Sequence, residues 1–239
     1  MSDMEIAGVR GTAGLLGERR ISGGEVFAGV SAETLHELNR RCRWIELNEG
    51  VVLVPAGDPL DRVFVVVRGE LRFSLYTSRG SVVWLRGADQ GSLVSEAAFI
   101  DTAATRYSIE AGRPSTVASI SAWAFIELIE RDRNLLNCAI RSLVARQEML
   151  ADQIVELTTL NVEARIHNEL LRLARDNIAE DGSATISPFP THADFARRIG
   201  THREAVSREL SHLQHIGAVV RGDKRLTIPD VTRLGLAPF

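Results

Sequence analysis

Arg203, Glu204, Ser207 and Arg208 fall within a stretch whose apolar members, Val206, Leu210 and Leu213, recur at helical spacing. On a helix the four polar residues stand opposite the apolar ones and near the N-terminus, where side chains that enter a DNA major groove sit. Their chemistry suits that place. An arginine fork matches guanine O6 and N7, and a glutamate accepts from the cytosine amino group, so Arg203 and Glu204 are candidates for reading G·C pairs. A solvated helix face with one capping glutamate uses the same letters. Thr201 and His202 lead into the helix. Lys224 and Arg225, at a later basic turn, suit contact with phosphate, which positions a protein without specifying sequence.

A second constellation is Val94, Ser95, Glu96 and Ala97, followed by Arg106 and Tyr107. A short helical turn after Glu96 leaves backbone amides free to hold a phosphate, and Arg106 returns on the next strand as its counter-charge. Glu96 then accepts from a sugar hydroxyl. A surface ion pair between Glu96 and Arg106 accounts for the same residues.

The elements that position these groups are legible in the spacing. Ser31 opens a short capped helix with Thr34, Leu35 and Leu38 on one side. From Trp44 to about Ile120, β-branched runs at 51–54, 63–67, 71–76, 82–85, 108–111 and 116–120 alternate with Gly and Asp turns, which predicts an antiparallel sandwich or barrel. After Ser121 the period turns helical for about forty residues. Leu136, Leu143, Leu150 and Leu157 recur every seven residues, with Ile140, Gln147 and Ile154 interleaved, giving a heptad seam. The seam predicts a parallel dimer, with Gln147 as the polar position that fixes register. One amphipathic helix lying on its own domain is the alternative.

Asn161 caps a further helix running to about Arg175. Helices then follow from Thr191 and Thr201, joined by a turn at Gly200, with Phe195, Ala196 and Ile199 inward in the first. Thr201 with Glu204 fits a capping box, and Thr191 with Asp194 is a shorter version. Helix, glycine turn, helix is a helix-turn-helix layout, and residues 219–228 read as a hairpin with a basic tip in the position of a wing.

The chain of 239 residues is 45% hydrophobic and 25% charged, the proportions of a globular protein rather than a disordered or fibrous one. The net charge of −3 is unevenly spread. From Gly182 onward eight Lys and Arg face five Asp and Glu, leaving −6 on the remainder, so a basic end on an acidic body points to a polyanion. No apolar run approaches the roughly 20 residues that span a bilayer, and the N-terminus carries no apolar stretch long enough for a signal peptide, so no membrane partner and a cytoplasmic location are expected. Cys42 and Cys138 lack C-x-x-C spacing and read as buried small hydrophobes. No histidine lies between Asn39 and Asn161, so a barrel there has no imidazole for metal or haem. His212 and His215 read as surface residues. Walker A, G-x-S-x-G and H-E-x-x-H motifs are missing, and the expectation is no enzyme, no metal and no covalent cofactor.

Over about residues 25–235 the chain resembles the cyclic-AMP receptor protein and fumarate-nitrate regulator family of bacterial transcription factors. The markers are Ala56, Gly57 and Asp58, then Phe64 through Gly69 and Glu70, in the β-roll. Gln90, Gly91, Ser95, Glu96 and Arg106 match the phosphate-binding cassette, and Gly200, Arg203, Glu204, Val206, Ser207 and Arg208 match the recognition helix. The resemblance implies an α+β protein with an N-terminal antiparallel β-roll of jelly-roll type, a long dimerisation helix and a C-terminal winged helix-turn-helix. The implied divisions are an extension at 1–24, a sensor at 25–120, a dimerisation linker at 121–160 and a DNA-binding domain at 161–239.

It also implies a homodimer on double-stranded DNA, with Arg203, Glu204 and Arg208 in the base-reading places and a two-fold-symmetric operator of half-sites similar to TGTGA. RNA polymerase is the further partner, and cyclic AMP or cyclic GMP the effector. For the effector the positions are Val94, Ser95, Glu96, Ala97, Arg106 and Tyr107, with Arg146 and Leu150 on the long helix and Arg86 on a strand beside the base. The chain departs from the pattern at Ser95, where glycine is usual, and at Tyr107, where a small hydroxyl is usual. Leu150 and Ala151 stand where a hydroxyl pair meets adenine, and offer no side-chain donor or acceptor. Arg86 either reads a guanine edge or is solvated.

Overall fold

Val63, Phe64, Val65 and Val66 are consecutive apolar residues because their strand is covered on both faces. The chain is seen in a computed structural model that describes residues 20–21, 25–76, 82–94, 98 and 104–235, with the backbone alone at Glu25 and Arg86. It divides into two compact units, Met1–Glu148 and Met149–Phe239. In the first, β1 (Arg43–Leu47), β2 (Val52–Val54), β3 (Arg62–Tyr76), β4 (Val82–Asp89), β5 (Leu93–Val94) and β6 (Ser108–Ser121) form one antiparallel sheet. The order is β1-β6-β3-β4, with β2 on β6 and β5 on β3. Phe64, Val66, Leu71 and Phe73 of β3 pack with Ile45, Leu53, Ile109 and Val117 inside the roll. Val63 and Val65 join the other core, with Leu38 of α1 (Ala32–Arg41), Phe125 and Leu128 of α2 (Ala122–Arg131) and Leu135 and Cys138 of α3 (Arg133–Thr159).

Two pairs of expected short strands are each one long strand. Runs 63–67 and 71–76 are both β3, and runs 108–111 and 116–120 are both β6. The bend is taken up by bulges, with register shifts at Val66/Arg68, Arg68/Glu70 and Glu70/Leu71. Gly69 sits there at φ 93°, and a Cβ on it would lie 2.6 Å from Ser115 Cα, so only glycine lets the strands pass this closely. The Ser115 hydroxyl accepts from the Glu70 N–H at 3.0 Å and donates to the Arg113 carbonyl at 2.7 Å, replacing ladder bonds lost at the bulge.

The helical stretch after Ser121 is likewise interrupted. Asp132 takes extended backbone between α2 and α3, and its carboxylate accepts from the Ser31 and Asn134 N–H groups at 2.9 and 3.0 Å. Ser31 caps α1 as its sequence predicts, its hydroxyl accepting from the Thr34 N–H. Along α3 the seam residues Leu136, Ile140, Leu143, Leu150, Ile154 and Leu157 are between 38% and 62% exposed in the single chain, and Gln147 is exposed among them. Cys42 and Cys138 are buried and unbridged, and burial pushes the Cys42 thiol up to about 12.

The second unit holds the end of α3, then α4 (Val162–Ala174), β7 (Ala184–Ile186), α5 (His192–Arg198), α6 (Arg203–His215), β8 (Val220–Gly222) and β9 (Arg225–Ile228). Asn161 caps α4 by accepting from the Ala164 N–H at 2.8 Å. The strands pair in the order β7-β9-β8, β7 being a strand that the sequence spacing does not predict. One core joins Ile166, Leu170, Phe195, Ile199, Val206, Leu210, Leu213, Leu226 and Ile228. Glu169 is buried beside it, accepting from Arg172 at 2.5 Å and Arg198 at 3.5 Å. Burial raises its carboxyl pKa against the pull of both arginines. The architecture is α+β: an antiparallel β-roll, a long helix and a C-terminal winged helix-turn-helix. Among the described residues no helix is long and apolar enough to cross a membrane.

Candidate nucleic-acid interface and effector site

The helix-turn-helix is set by its turn. Gly200 has φ 62°, and a Cβ there would sit 3.2 Å from Leu157 Cδ2. Arg165 of α4 donates to the Ile199 carbonyl at 2.7 Å, holding the turn from beneath. Thr191 caps α5 as expected. Its hydroxyl accepts from the Asp194 N–H at 3.1 Å and donates to the Asp194 carboxylate at 2.7 Å, while Arg197 holds that carboxylate at 2.8 Å.

The expected capping box at Thr201 does not form. The cap position of α6 is His202, without a side-chain cap bond, and the Thr201 N–H is spent on the Ala196 carbonyl at 2.9 Å. The tight turn claims Thr201 before the helix begins.

From there the faces separate as the spacing predicts. Val206 and Leu210 are fully buried and Leu213 is 2% exposed, whereas His202, Arg203, Glu204 and Arg208 are exposed. Lys224 takes φ 49° at the hairpin tip, a conformation costly for a side-chain-bearing residue, and both Lys224 and Arg225 are exposed.

Ser207 differs from its neighbours. It is partly buried, and its hydroxyl lies 2.7 Å from His192 Nδ1 on α5, while Arg221 Nη2 on β8 lies 3.2 Å from His192 Nε2. Thr191, His192, Ala193, Arg203 and Arg221 line a depression of about 400 Å³. Burial first, then Arg221 and Arg203, lower the His192 pKa below its ordinary value, favouring neutral imidazole. The sequence reading names neither His192 nor Arg221 as a site residue. The contact spans 15 residues to Ser207 and 29 to Arg221, beyond any local motif.

On the effector side fewer groups come together among the described residues. Leu93 and Val94 pair with Val65 and Phe64 of β3, and Val94 is fully buried. Arg146 and Ser142 of α3 both donate to the Leu93 carbonyl, at 3.3 and 3.4 Å, so the long helix grips the strand that leads into the cassette. Ser95, Glu96 and Ala97 lie outside the described residues, as does the Arg86 side chain, whose backbone registers opposite Phe73. Arg106 is exposed just before β6. Tyr107 packs edge-on against Phe73, with ring centroids 5.2 Å apart, at the wall of the roll core. Leu150 is 41% exposed and belongs to the second unit. Among the described residues no group of His, Cys, Asp or Glu is arranged to hold a metal.

Residues 44–132 match the family model of the cyclic nucleotide-binding domain, and residues 164–236 match that of the Crp-like helix-turn-helix domain. The cAMP-activated global transcriptional regulator CRP of Pasteurella multocida is 26% identical over 163 residues, covering 68% of this chain and 78% of that protein. Among solved structures, FixK2 from Bradyrhizobium japonicum aligns with a TM-score of 0.69 at 18% identity, over 81% of this chain and 95% of that one. The regulator CLP from Xanthomonas campestris aligns with a TM-score of 0.72 at 18% identity, over 83% and 99%.

Proposed function

The chain belongs to the Crp/Fnr family of transcription regulators, with a cyclic nucleotide-binding domain and a Crp-like helix-turn-helix, and from that premise we propose a homodimer that reads a two-fold-symmetric operator. The observation that carries this reading is the face of α6. Arg203, Glu204 and Arg208 point out while Val206, Leu210 and Leu213 anchor the helix, so a groove meets a rigid row of charge-bearing readers. Arg203 and Glu204 read a G·C-containing half-site similar to TGTGA, Arg208 completes the set, and Lys224 and Arg225 touch phosphate. The exposed α3 seam closes against a second copy and spaces two recognition helices for half-sites about one DNA turn apart. Division at 25–120, 121–160 and 161–239 follows from those roles, with a cytoplasmic location and RNA polymerase as the further partner.

The effector in this reading is cyclic AMP or cyclic GMP, its phosphate held at residues 94–97 and Arg106. The grip of Arg146 on Leu93 supplies a route from that cassette to the long helix. Ligand shifts the population between two seam arrangements, by no more than its preference for one of them.

A second reading, the same regulator without cyclic mononucleotide, is favoured by Tyr107 packing on Phe73 and by the absence of a donor at Leu150. Calorimetric titration with cyclic AMP, cyclic GMP and c-di-GMP, to which CLP of Xanthomonas campestris is responsive, separates them. Saturable binding of a cyclic mononucleotide, lost in Arg106→Ala, supports the first reading. No heat with any of the three removes cyclic nucleotide from the mechanism.

A further inference from the structure

We infer that His192 is a positioning residue for base reading: tied to Arg221 of the wing, it keeps the Ser207 hydroxyl of the recognition helix as a hydrogen-bond donor toward DNA. The inference rests on the reading of α6 as the recognition helix and goes beyond it by fixing the polarity of one contact.

The chemistry of each partner fixes the direction of both contacts. A guanidinium has only donors, so the 3.2 Å contact from Arg221 Nη2 makes His192 Nε2 the acceptor. A neutral imidazole with its lone pair on Nε2 carries its proton on Nδ1. That proton points along the 2.7 Å contact to Ser207 Oγ, which therefore accepts.

The serine proton is then left over. Ser207 has no other side-chain hydrogen bond among the described residues, and the Ser207 carbonyl is occupied separately by the Ser211 hydroxyl at 2.8 Å. In the opposite tautomer Nδ1 would take the serine proton, and the hydroxyl could only accept from a base. The wing arginine thus determines, through one imidazole, whether α6 offers a donor at this position.

The surroundings hold the arrangement. His192 is partly buried, with Arg221 from β8 and Arg203 and Ser207 from α6 facing it. Asp194, two residues along α5, is engaged by Thr191 and Arg197 instead. Both flanking arginines disfavour a doubly protonated ring, which would lose the Arg221 contact. The base partner that suits a Ser207 donor is an acceptor edge: purine N7, guanine O6 or thymine O4.

Two measurements test this. In uniformly 15N-labelled protein at pH 7.5, the His192 ring is expected to show a protonated Nδ1 and an unprotonated Nε2, and Arg221→Met is expected to relax it toward the Nε2–H form. An Nε2–H ring in the unmodified protein overturns the inference. The second uses duplexes with two randomised five-base half-sites, selected by the full chain and sequenced. At one half-site position, preference for an acceptor is expected to fall by about three- to tenfold in Ser207→Ala, and by a smaller factor in His192→Phe, where the hydroxyl is left free to rotate between donating and accepting. His192→Asn, whose amide can still donate to Ser207, is expected to retain it. Full discrimination in His192→Phe overturns the positioning role alone, whereas a parent protein that selects no sequence overturns the recognition-helix reading beneath it.

Discussion

The two ends of the molecule dispose their candidate functional groups in opposite ways. On α6 the proposed readers Arg203, Glu204 and Arg208 face outward from a helix whose other side is filled by Val206, Leu210 and Leu213. In the roll, Tyr107 is packed on Phe73 and Arg146 is engaged with the Leu93 carbonyl. A DNA-reading surface has to be prepared in advance, since rigid, outward side chains lose least entropy when a groove arrives. A sensor gains by holding its groups in internal contacts that a ligand must exchange, because only a difference in affinity between two states can move an equilibrium.

The largest effect that would sharpen this contrast lies between the two ends, on the α3 seam. Leu143→Asp with Ile154→Asp places charge at positions that are 43% and 62% exposed in one chain and that the proposed dimer would bury. Sedimentation is expected to show a monomer, with operator affinity lower by about 10²–10⁴ as the second half-site contact ceases to be intramolecular. An unchanged dimer would detach the seam from assembly.

Next in size is Arg203→Ala, expected to cost about 1–3 kcal/mol and to relax sequence preference at one base position, read by competition among single-base operator variants. Uniform weakening across all sequences would make Arg203 a phosphate contact instead. The smallest effect separates the two helix starts. Thr191→Ala removes a formed cap and is expected to lower stability by about 1 kcal/mol in urea unfolding, while Thr201→Ala, whose side chain caps nothing, leaves the midpoint nearly unchanged.

Periodicity carried most of what the sequence reveals. Burial of Val206, Leu210 and Leu213, the Ser31 and Asn161 caps and the heptad stripe all follow from spacing within a few turns. Breakers misled where bulges absorb them. Gly69 looks like a strand end, yet it lies inside a long strand, in a stretch where the ladder is already irregular. Thr201 misled because a capping box is a local pattern, and the Gly200 turn draws the Thr201 N–H to Ala196 through a contact that no three-residue spacing encodes. The polar chain from Arg221 through His192 to Ser207 was illegible for the same reason: it joins three elements that only the folded wing and helices bring together.

The most direct test of the account is equilibrium binding of the full chain to a duplex with two inverted TGTGA half-sites, against the same duplex with both half-sites scrambled, at physiological salt. The account predicts two chains per duplex and at least about a thousandfold preference for the symmetric site. Equal affinity for the two duplexes would contradict it, leaving the exposed face of α6 as charge without sequence reading.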